Sequence, residues 1–300
     1  MRILLTGKSG QVGKALQATL APAGEVIALD RGQLDLVSAD AIRQAVREIK
    51  PDVIVNAAAF TAVDRAESEP DLAMAVNGVA PGVLAVEARR IDALLVHYST
   101  DYVFDGAKDG PYMEEDATHP LSVYGRTKLA GEQAIREAGI RHYIFRTSWV
   151  YSARGSNFVH TILRLARERT EIRIVDDQVG APTWARSIAE ITAKILSAGG
   201  NTTNAPDNAG GIYHVTAAGA VSWFGFAQAI LAAAKTRFPR MIVPQLIPIP
   251  SSEYPLPARR PLNSRLDNSR LTAAFGLALP KWEDALHLCM QEIASAGSGA

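Results

Sequence analysis

The sequence predicts an α/β chain built on a doubly wound parallel sheet, with a second, smaller α/β lobe that is mostly C-terminal. Three observations carry this. Short apolar runs alternate with amphipathic ones through the first half, as in successive βαβ units. The apolar runs are continuous rather than alternating, as in strands covered on both faces. Between the first strand and the first helix stands Gly7-Lys-Ser-Gly10-Gln-Val-Gly13, where such folds place a phosphate-binding turn.

The elements follow in order. Ile3–Thr6, Glu25–Asp30, Val53–Ala57, Leu94–Ser99 and Tyr143–Thr147 read as buried parallel strands. Gln11–Leu20, Ala39–Lys50, Asp71–Arg90 and Ser122–Ala138 read as the crossover helices, right-handed by rule. Beyond Trp149 the pattern loosens. Asn157–Arg169 and Trp184–Leu196 read as helices, and Ile172–Val175 and Ile212–Thr216 as strands. Gly199–Gly211 is a surface loop by its Gly, Asn, Thr and Pro content. Prolines at 244, 248, 250, 255, 257 and 261 make Pro244–Pro261 extended. Lys281–Ala294 closes the chain as a helix. The expected division is residues 1–148 as a dinucleotide-binding domain, with 184–216 returning to it. Residues 149–183 and 217–300 then form the substrate-binding domain.

Bulk composition narrows the function. A hydrophobic content of 48% supports a sizeable core. The 31 basic and 31 acidic side chains cancel, so no net field favours nucleic acid or an anionic membrane. Cys289, the only cysteine, cannot form an intrachain disulfide and reads as a core thiol. The run Ile3–Leu5 is too short for a signal segment, and no stretch approaches the ~18 apolar residues of a membrane span. The expected location is the cytoplasm. Asn201-Thr-Thr matches a glycosylation acceptor, which carries no weight without secretion.

The spacing Gly-x-x-Gly-x-x-Gly suits a dinucleotide. Gly7 permits the tight turn, Gly10 lets backbone approach a pyrophosphate, and the helix N-terminus offers N–H groups to phosphate. Asp30 ends the second strand about 20 residues on, where an acid meets the adenosine ribose. Arg31 beside it can pair with a 2′-phosphate. Both NADH and NADPH are therefore admissible, with NADPH favoured. Asp35 and Leu36 are placed along the adenine, and the small Ala57, Ala58 and Ala59 let a dinucleotide lie against backbone.

At the other end, Ser99-Thr100-Asp101-Tyr102 closes the fourth strand at its carboxyl edge, where ligands bind in such sheets. Tyr124-Gly-Arg-Thr-Lys128 opens the helix that follows. Residues i and i+4 share a helix face, so Tyr124 and Lys128 point together. An ammonium beside a phenol lowers the phenol's pKa from about 10, which makes Tyr124 an acid/base candidate. Thr100 can donate to a carbonyl oxygen that gains charge during hydride transfer. Trp149 follows the fifth strand, where an aromatic face can pack on a sugar or base.

Longer blocks resemble the dTDP-4-dehydrorhamnose reductases, of the extended short-chain dehydrogenase/reductases with their Rossmann fold. They are Val53–Ala59, Thr61–Pro70, His97–Phe104, Val123–Glu132, Phe145–Tyr151, Asp177–Thr183 and Arg260–Asp267. The resemblance implies reduction of the C4 ketone of dTDP-4-dehydro-6-deoxy-L-mannose to dTDP-L-rhamnose. It implies Thr100, Tyr124 and Lys128 as the catalytic triad. Gly10, Gln11, Val12, Asp30, Asp35, Leu36, Ala59, Phe60, Thr61, Tyr98 and Lys128 would line the cofactor. Thr100, Asp101, Tyr124 and Trp149 would contact the sugar nucleotide. Related 4,6-dehydratases carry an Asp-Glu pair after the threonine, and here Tyr102 follows Asp101. Some members bind Mg²⁺ at a dimer interface through a glutamate after the glycine turn. Ala15 stands there and cannot ligate a hard cation, so no metal and a monomer or weak homodimer are expected. Two alternatives remain at this level: an NADP-binding regulatory subunit of methionine adenosyltransferase, and a sugar-nucleotide epimerase.

Other features read as structural. The histidines at 97, 119, 142, 160, 214 and 287 lack ligand spacing, and His97 and His214 read as core residues. Glu67, Glu69 and Asp71 read as a solvated acidic helix start. Arg259 and Arg260 are candidates for a nucleotide diphosphate.

Overall fold

A computed structural model describes residues 1–198, 210–237 and 240–297. The expected loop Gly199–Gly211 lies, up to residue 209, outside the described residues. The first half alternates β1 (Arg2–Thr6), α1 (Gln11–Leu20), β2 (Glu25–Leu29), α2 (Ala39–Ile49) and β3 (Val53–Asn56). Short helices α3 (Val63–Ser68) and α4 (Pro70–Met74) lead through a π-helical turn at Ala75–Val79 into α5 (Ala80–Arg90). Then come β4 (Leu94–Thr100), α6 (Val123–Glu137) and β5 (His142–Thr147).

These strands form one parallel sheet in the order β2-β1-β3-β4-β5, extended beyond β5 by β10 (Gly211–His214). Successive residues of β1 face opposite sides. Ile3 and Leu5 pack with Leu16, Leu20 and Ile188, under α1 and α8 (Ala185–Ser197). Leu4 packs with Ile42, Val46, Leu84 and Ile135, under α2, α5 and α6. Burial on both faces explains the unbroken apolar runs of the sequence.

The second lobe has its own core, in which Phe226, Ile230, Trp282 and Leu286 are buried. Its framework is α7 (Phe158–Glu168), α9 (Trp223–Arg237), α11 (Trp282–Gly297) and a parallel pair of β7 (Glu171–Val175) with β12 (Gln245–Ile249). Smaller pieces complete it: β6 (Val150–Tyr151) beside β9 (Thr183–Trp184), β8 (Val179–Gly180) between β11 (Val221–Ser222) and β13 (Asn263–Ser264), and α10 (Ser269–Phe275).

Three expectations need correction. The helix expected over Asp71–Arg90 is interrupted because Pro81 has no N–H to give the carbonyl of Asn77. The chain widens instead into a π turn, with the Ala80 N–H reaching Ala75. By length and composition the whole run, Pro70–Arg90, passes for a membrane span at mean hydropathy 1.2, although none is expected from the sequence. Half of it is buried in the fold, which is where its apolar residues are used. Helix α9 has no counterpart among the expected elements, because its apolar residues are spread round its circumference and leave no periodic stripe. The proline-rich segment is extended through β12 as expected; Pro248 sits in that strand, which among the described residues pairs only with β7 and so can spare a donor.

Candidate active site

The site is assembled where β4 ends and α6 begins. Helix α6 starts at a sequence-encoded cap: Ser122 Oγ accepts from the Gly125 N–H at 3.2 Å. A second orphan donor, the Val123 N–H, is taken by Glu67 Oε1 at 2.7 Å. Glu67 therefore caps the helix rather than standing in solvent, and Glu69 is held by Arg65. Gly125 lets the helix come close, because a Cβ there would stand 2.2 Å from the Tyr102 carbonyl oxygen. Tyr124 thereby reaches Tyr102 edge-to-face, at a centroid distance of 5.7 Å, and hydrogen-bonds Thr100.

Burial sets the protonation here. Desolvation pushes the Tyr124 phenol up to about 12, against the Thr100 hydrogen bond, which lowers it. Lys128 is not a cause of that shift, so the expected lowering of the phenol by the ammonium is not what this geometry produces. Lys128 is instead itself pushed down to about 8 by burial, with Glu132 opposing. Its Nζ donates to the Tyr98 carbonyl at 2.5 Å and lies 3.1 Å from His97 Nε2. Asp101 is pushed up to about 6 by desolvation, although its Oδ1 accepts from Thr100 Oγ1 at 3.0 Å. The Ser264 hydroxyl also favours the charged form, but desolvation outweighs it. Thr100 Oγ1 also accepts from the Tyr102 N–H at 3.1 Å, so its hydroxyl joins three neighbours.

Helix α6 is tied to the sheet by a buried ion pair. Arg146 on β5 binds Glu132 with Nε at 3.0 Å and Nη2 at 2.7 Å, and Ser99 Oγ donates to the same carboxylate at 2.5 Å.

The residues expected along the cofactor and at the catalytic end all line one cleft of about 850 Å³. Gly7, Gly10, Gln11 and Val12 form one end, beside Asp30, Arg31, Asp35 and Leu36. Ala57, Ala58, Ala59, Phe60, Thr61 and Tyr98 form the floor and sides, and Thr100, Asp101, Tyr124, Lys128 and Trp149 the other end. Gly7 has φ +74, and a Cβ there would meet the Ala58 nitrogen at 2.6 Å, so the turn requires glycine. Helix α1 has no side-chain cap at Gly10, so its first N–H groups face the cleft end unclaimed by a side chain. Such an end suits an anion, and the cleft fits a dinucleotide. Asp30 is paired with Lys8 at 3.3 Å, which puts a second cation beside Arg31. The Tyr98 hydroxyl turns away to Thr192, at 2.8 Å.

The comparisons with known proteins agree along nearly the whole chain. Residues 1–295 match the family described as the RmlD substrate binding domain. The dTDP-4-dehydrorhamnose reductase of Burkholderia thailandensis is 50% identical over 98% of this chain and 100% of its own length. That of Escherichia coli K12 is 45% identical over 98% of each. The chain belongs to the dTDP-4-dehydrorhamnose reductase family. The crystal structure of the Bacillus anthracis reductase in complex with NADP superposes with a TM-score of 0.88 at 36% identity, covering 97% of this chain and 99% of that one. An NAD complex of Thermus thermophilus UDP-glucose 4-epimerase, 21% identical with a TM-score of 0.80, shares the fold.

For this family member, several side chains depart from the sequence reading. Arg260 is a bidentate partner of Asp64, at 3.1 and 2.7 Å, and so is already engaged rather than free for a diphosphate. Trp149 has φ +49, a strained conformation for a bulky residue, and stacks on Trp223 with centroids 3.6 Å apart. Its packing partner is thus a residue the sequence did not reveal, because Trp223 opens α9, the helix without a period. Trp223 also lines a second cavity of about 490 Å³ with Phe158, Arg173, Tyr254 and Arg259. Asn77 was equally hidden. Its side chain binds both the N–H and the carbonyl of Phe60, at 2.8 and 3.0 Å, and fixes the cleft wall. His97 is a core residue, as expected, yet it contacts Lys128; His214 is likewise buried.

Proposed function

We propose that the chain reduces the C4 ketone of dTDP-4-dehydro-6-deoxy-L-mannose to give dTDP-L-rhamnose, with NADPH as the reductant. One observation carries this: a single cleft joins the glycine turn at one end to Thr100, Tyr124 and Lys128 at the other, in a chain whose relatives bear that activity's name. The nicotinamide supplies a hydride when bound.

The chain's own residues do the rest. As the ketone oxygen gains negative charge, Tyr124 gives it the phenolic proton, for which a phenol still protonated at neutral pH is the required state. Thr100 stabilises the same oxygen through its hydroxyl. Lys128, one turn along α6, is charged below about pH 8 and lines the same cleft, where its ammonium can donate to the ribose of the nicotinamide. Asp101 and Trp149 border the sugar. The second cavity seats the nucleotide, with its aromatic Phe158 and Tyr254 available to the base and Arg259 to the phosphates, Arg173 being held by Glu253. Residues 149–183 and 217–300 act as the substrate domain, and 1–148 with 184–216 as the cofactor domain. Lys8 and Arg31 favour a 2′-phosphate over a free ribose hydroxyl. Ala15 offers no ligand to a hard cation, the ground for reading the chain as a metal-free monomer or weak homodimer.

The test is consumption of NADPH with dTDP- and other nucleotide-linked 4-keto-6-deoxy sugars, with the product sugar identified. Rapid turnover of the dTDP sugar to the rhamnose epimer is expected. No oxidation with any keto sugar overturns the reading.

A further inference from the structure

A buried polar chain crosses the sheet beneath the catalytic end. Thr6 Oγ1 on β1 lies 2.6 Å from Asn56 Oδ1 on β3. The other side of that amide lies 3.0 Å from His97 Nδ1 on β4. His97 Nε2 lies 3.1 Å from Lys128 Nζ on α6. All four side chains are buried. The strand register puts Thr6 opposite Asn56 and Asn56 opposite His97, so the chain is built into the sheet.

Donor and acceptor counting shows what this arrangement can do. A neutral imidazole has one N–H and one acceptor nitrogen, and an amide has one donor and one acceptor end that are isosteric. If Lys128 is an ammonium, it donates to Nε2. The ring proton is then on Nδ1, Asn56 presents its oxygen to it, and the Asn56 NH₂ donates to Thr6. If Lys128 is an amine, Nε2 carries the proton and donates to Nζ. Nδ1 then accepts from the Asn56 NH₂, and Thr6 donates to the Asn56 oxygen. Each link of the chain keeps a donor facing an acceptor in both states, which differ by one proton. An apolar residue at 97 would satisfy neither.

We infer that His97 is a positioning residue for the reduction, which holds Lys128 Nζ at the floor of the cleft and exchanges its ring tautomer with the charge of that lysine. Two observations support the exchange. Burial and the charge of Lys128 hold His97 well below its ordinary range, so the ring stays neutral. Lys128, at about 8, changes charge within the working range. The other ionisable groups bordering the chain are Glu132 and Tyr124 on α6, Tyr98 on β4, Asp101 just past it, and Arg146 on β5. Arg146 is held by Glu132, and Tyr124, at about 12, titrates far above Lys128.

The experiment is long-range ¹H–¹⁵N NMR of the histidine rings in the ligand-free protein, with pH varied on either side of the Lys128 transition. The His97 proton is expected on Nδ1 below about pH 8 and on Nε2 above it, and Lys128→Met is expected to remove the reversal. Asn56→Asp, whose carboxylate only accepts, is expected to hold the Nδ1–H form and move the basic limb of kcat upward by about tenfold in proton concentration, roughly one pH unit. A single tautomer throughout, or a reversal that survives Lys128→Met, overturns the inference. The inference rests on the role proposed for Lys128, but the ring measurement needs no turnover. Undiminished reduction by Lys128→Met would instead count against that role.

Discussion

The two ends of the cleft are built by different physics. At the cofactor end the working groups are backbone: a turn at Gly7 that tolerates no Cβ, and the uncapped start of α1. At the catalytic end they are side chains, buried and displaced in pKa, and held by other buried polar side chains. Backbone that needs glycine leaves a mark in the sequence. A polar network closed between distant strands leaves almost none. The difference also predicts where substitutions do harm. Catalytic-end changes should act on chemistry and stability, and cofactor-end changes on which nucleotide is chosen.

The largest expected effect is that of Tyr124→Phe, which removes the proposed proton donor and leaves the ring packed on Tyr102. General acid catalysis is commonly worth about 10²–10⁴ in rate. A fall of roughly a thousandfold in kcat is expected, with NADPH affinity within about twofold of the parent. An equal loss of NADPH binding would erase the distinction between the two ends.

Next is Arg146→Met. It strands the Glu132 carboxylate, which is 1% exposed, beneath the catalytic helix. Breaking a buried pair by removing one partner typically costs about 3–5 kcal/mol. Chemical denaturation should show a loss of that order. Replacing exposed Arg164, paired with Glu168 on the surface of α7, should cost at most about 1 kcal/mol. Similar losses at both sites would mean that Glu132 is solvated in the folded protein.

The third concerns pH. Asp101 has its folded pKa raised to about 6 from 3.8. Folding therefore favours its protonated form. The stabilisation is fully present below the unfolded pKa and is lost as pH rises through about 6. Asp101→Asn should stabilise the protein at neutral pH by roughly 2–3 kcal/mol, because each tenfold change in proton affinity is worth about 1.36 kcal/mol. At acid pH the gain should be much less. A stability difference that does not vary between those conditions would show that this carboxyl is not desolvated.

These contrasts also show how far the sequence could be read. The sheet was legible because strands buried on both faces are apolar without a break, and the cofactor end because Gly7 sits where only glycine fits. Tyr124, Lys128 and Thr100 were legible as residue types at helix and strand ends. Their protonation was not: spacing put an ammonium near a phenol, whereas burial outweighs that contact for Tyr124. Asn56, His97, Glu132 and Asn77 each read as ordinary strand or helix residues, because their partners lie far along the chain. Trp223 was hidden by a helix apolar on all sides, and the Arg260–Asp64 pair by a separation of 196 residues.

The smallest expected effect tests the cofactor end alone. Arg31 is mostly exposed, and its ion pair with Asp35 is a long one, at 3.9 Å. Its neighbour Asp30 is already balanced by Lys8. Arg31→Ala should therefore leave stability unchanged within about 0.5 kcal/mol, as for surface sites in general. Loss of one charge-assisted contact to a 2′-phosphate should lower kcat/KM for NADPH about tenfold, roughly 1.4 kcal/mol, while kcat/KM for NADH stays within about twofold. Lys8→Ala should do less to NADPH, because removing it also frees Asp30, which can then accept from the ribose hydroxyl and improve NADH. If both variants lose NADPH and NADH activity in equal proportion, these cations serve the pyrophosphate or the fold, and selectivity resides elsewhere along the Asp30–Leu36 wall.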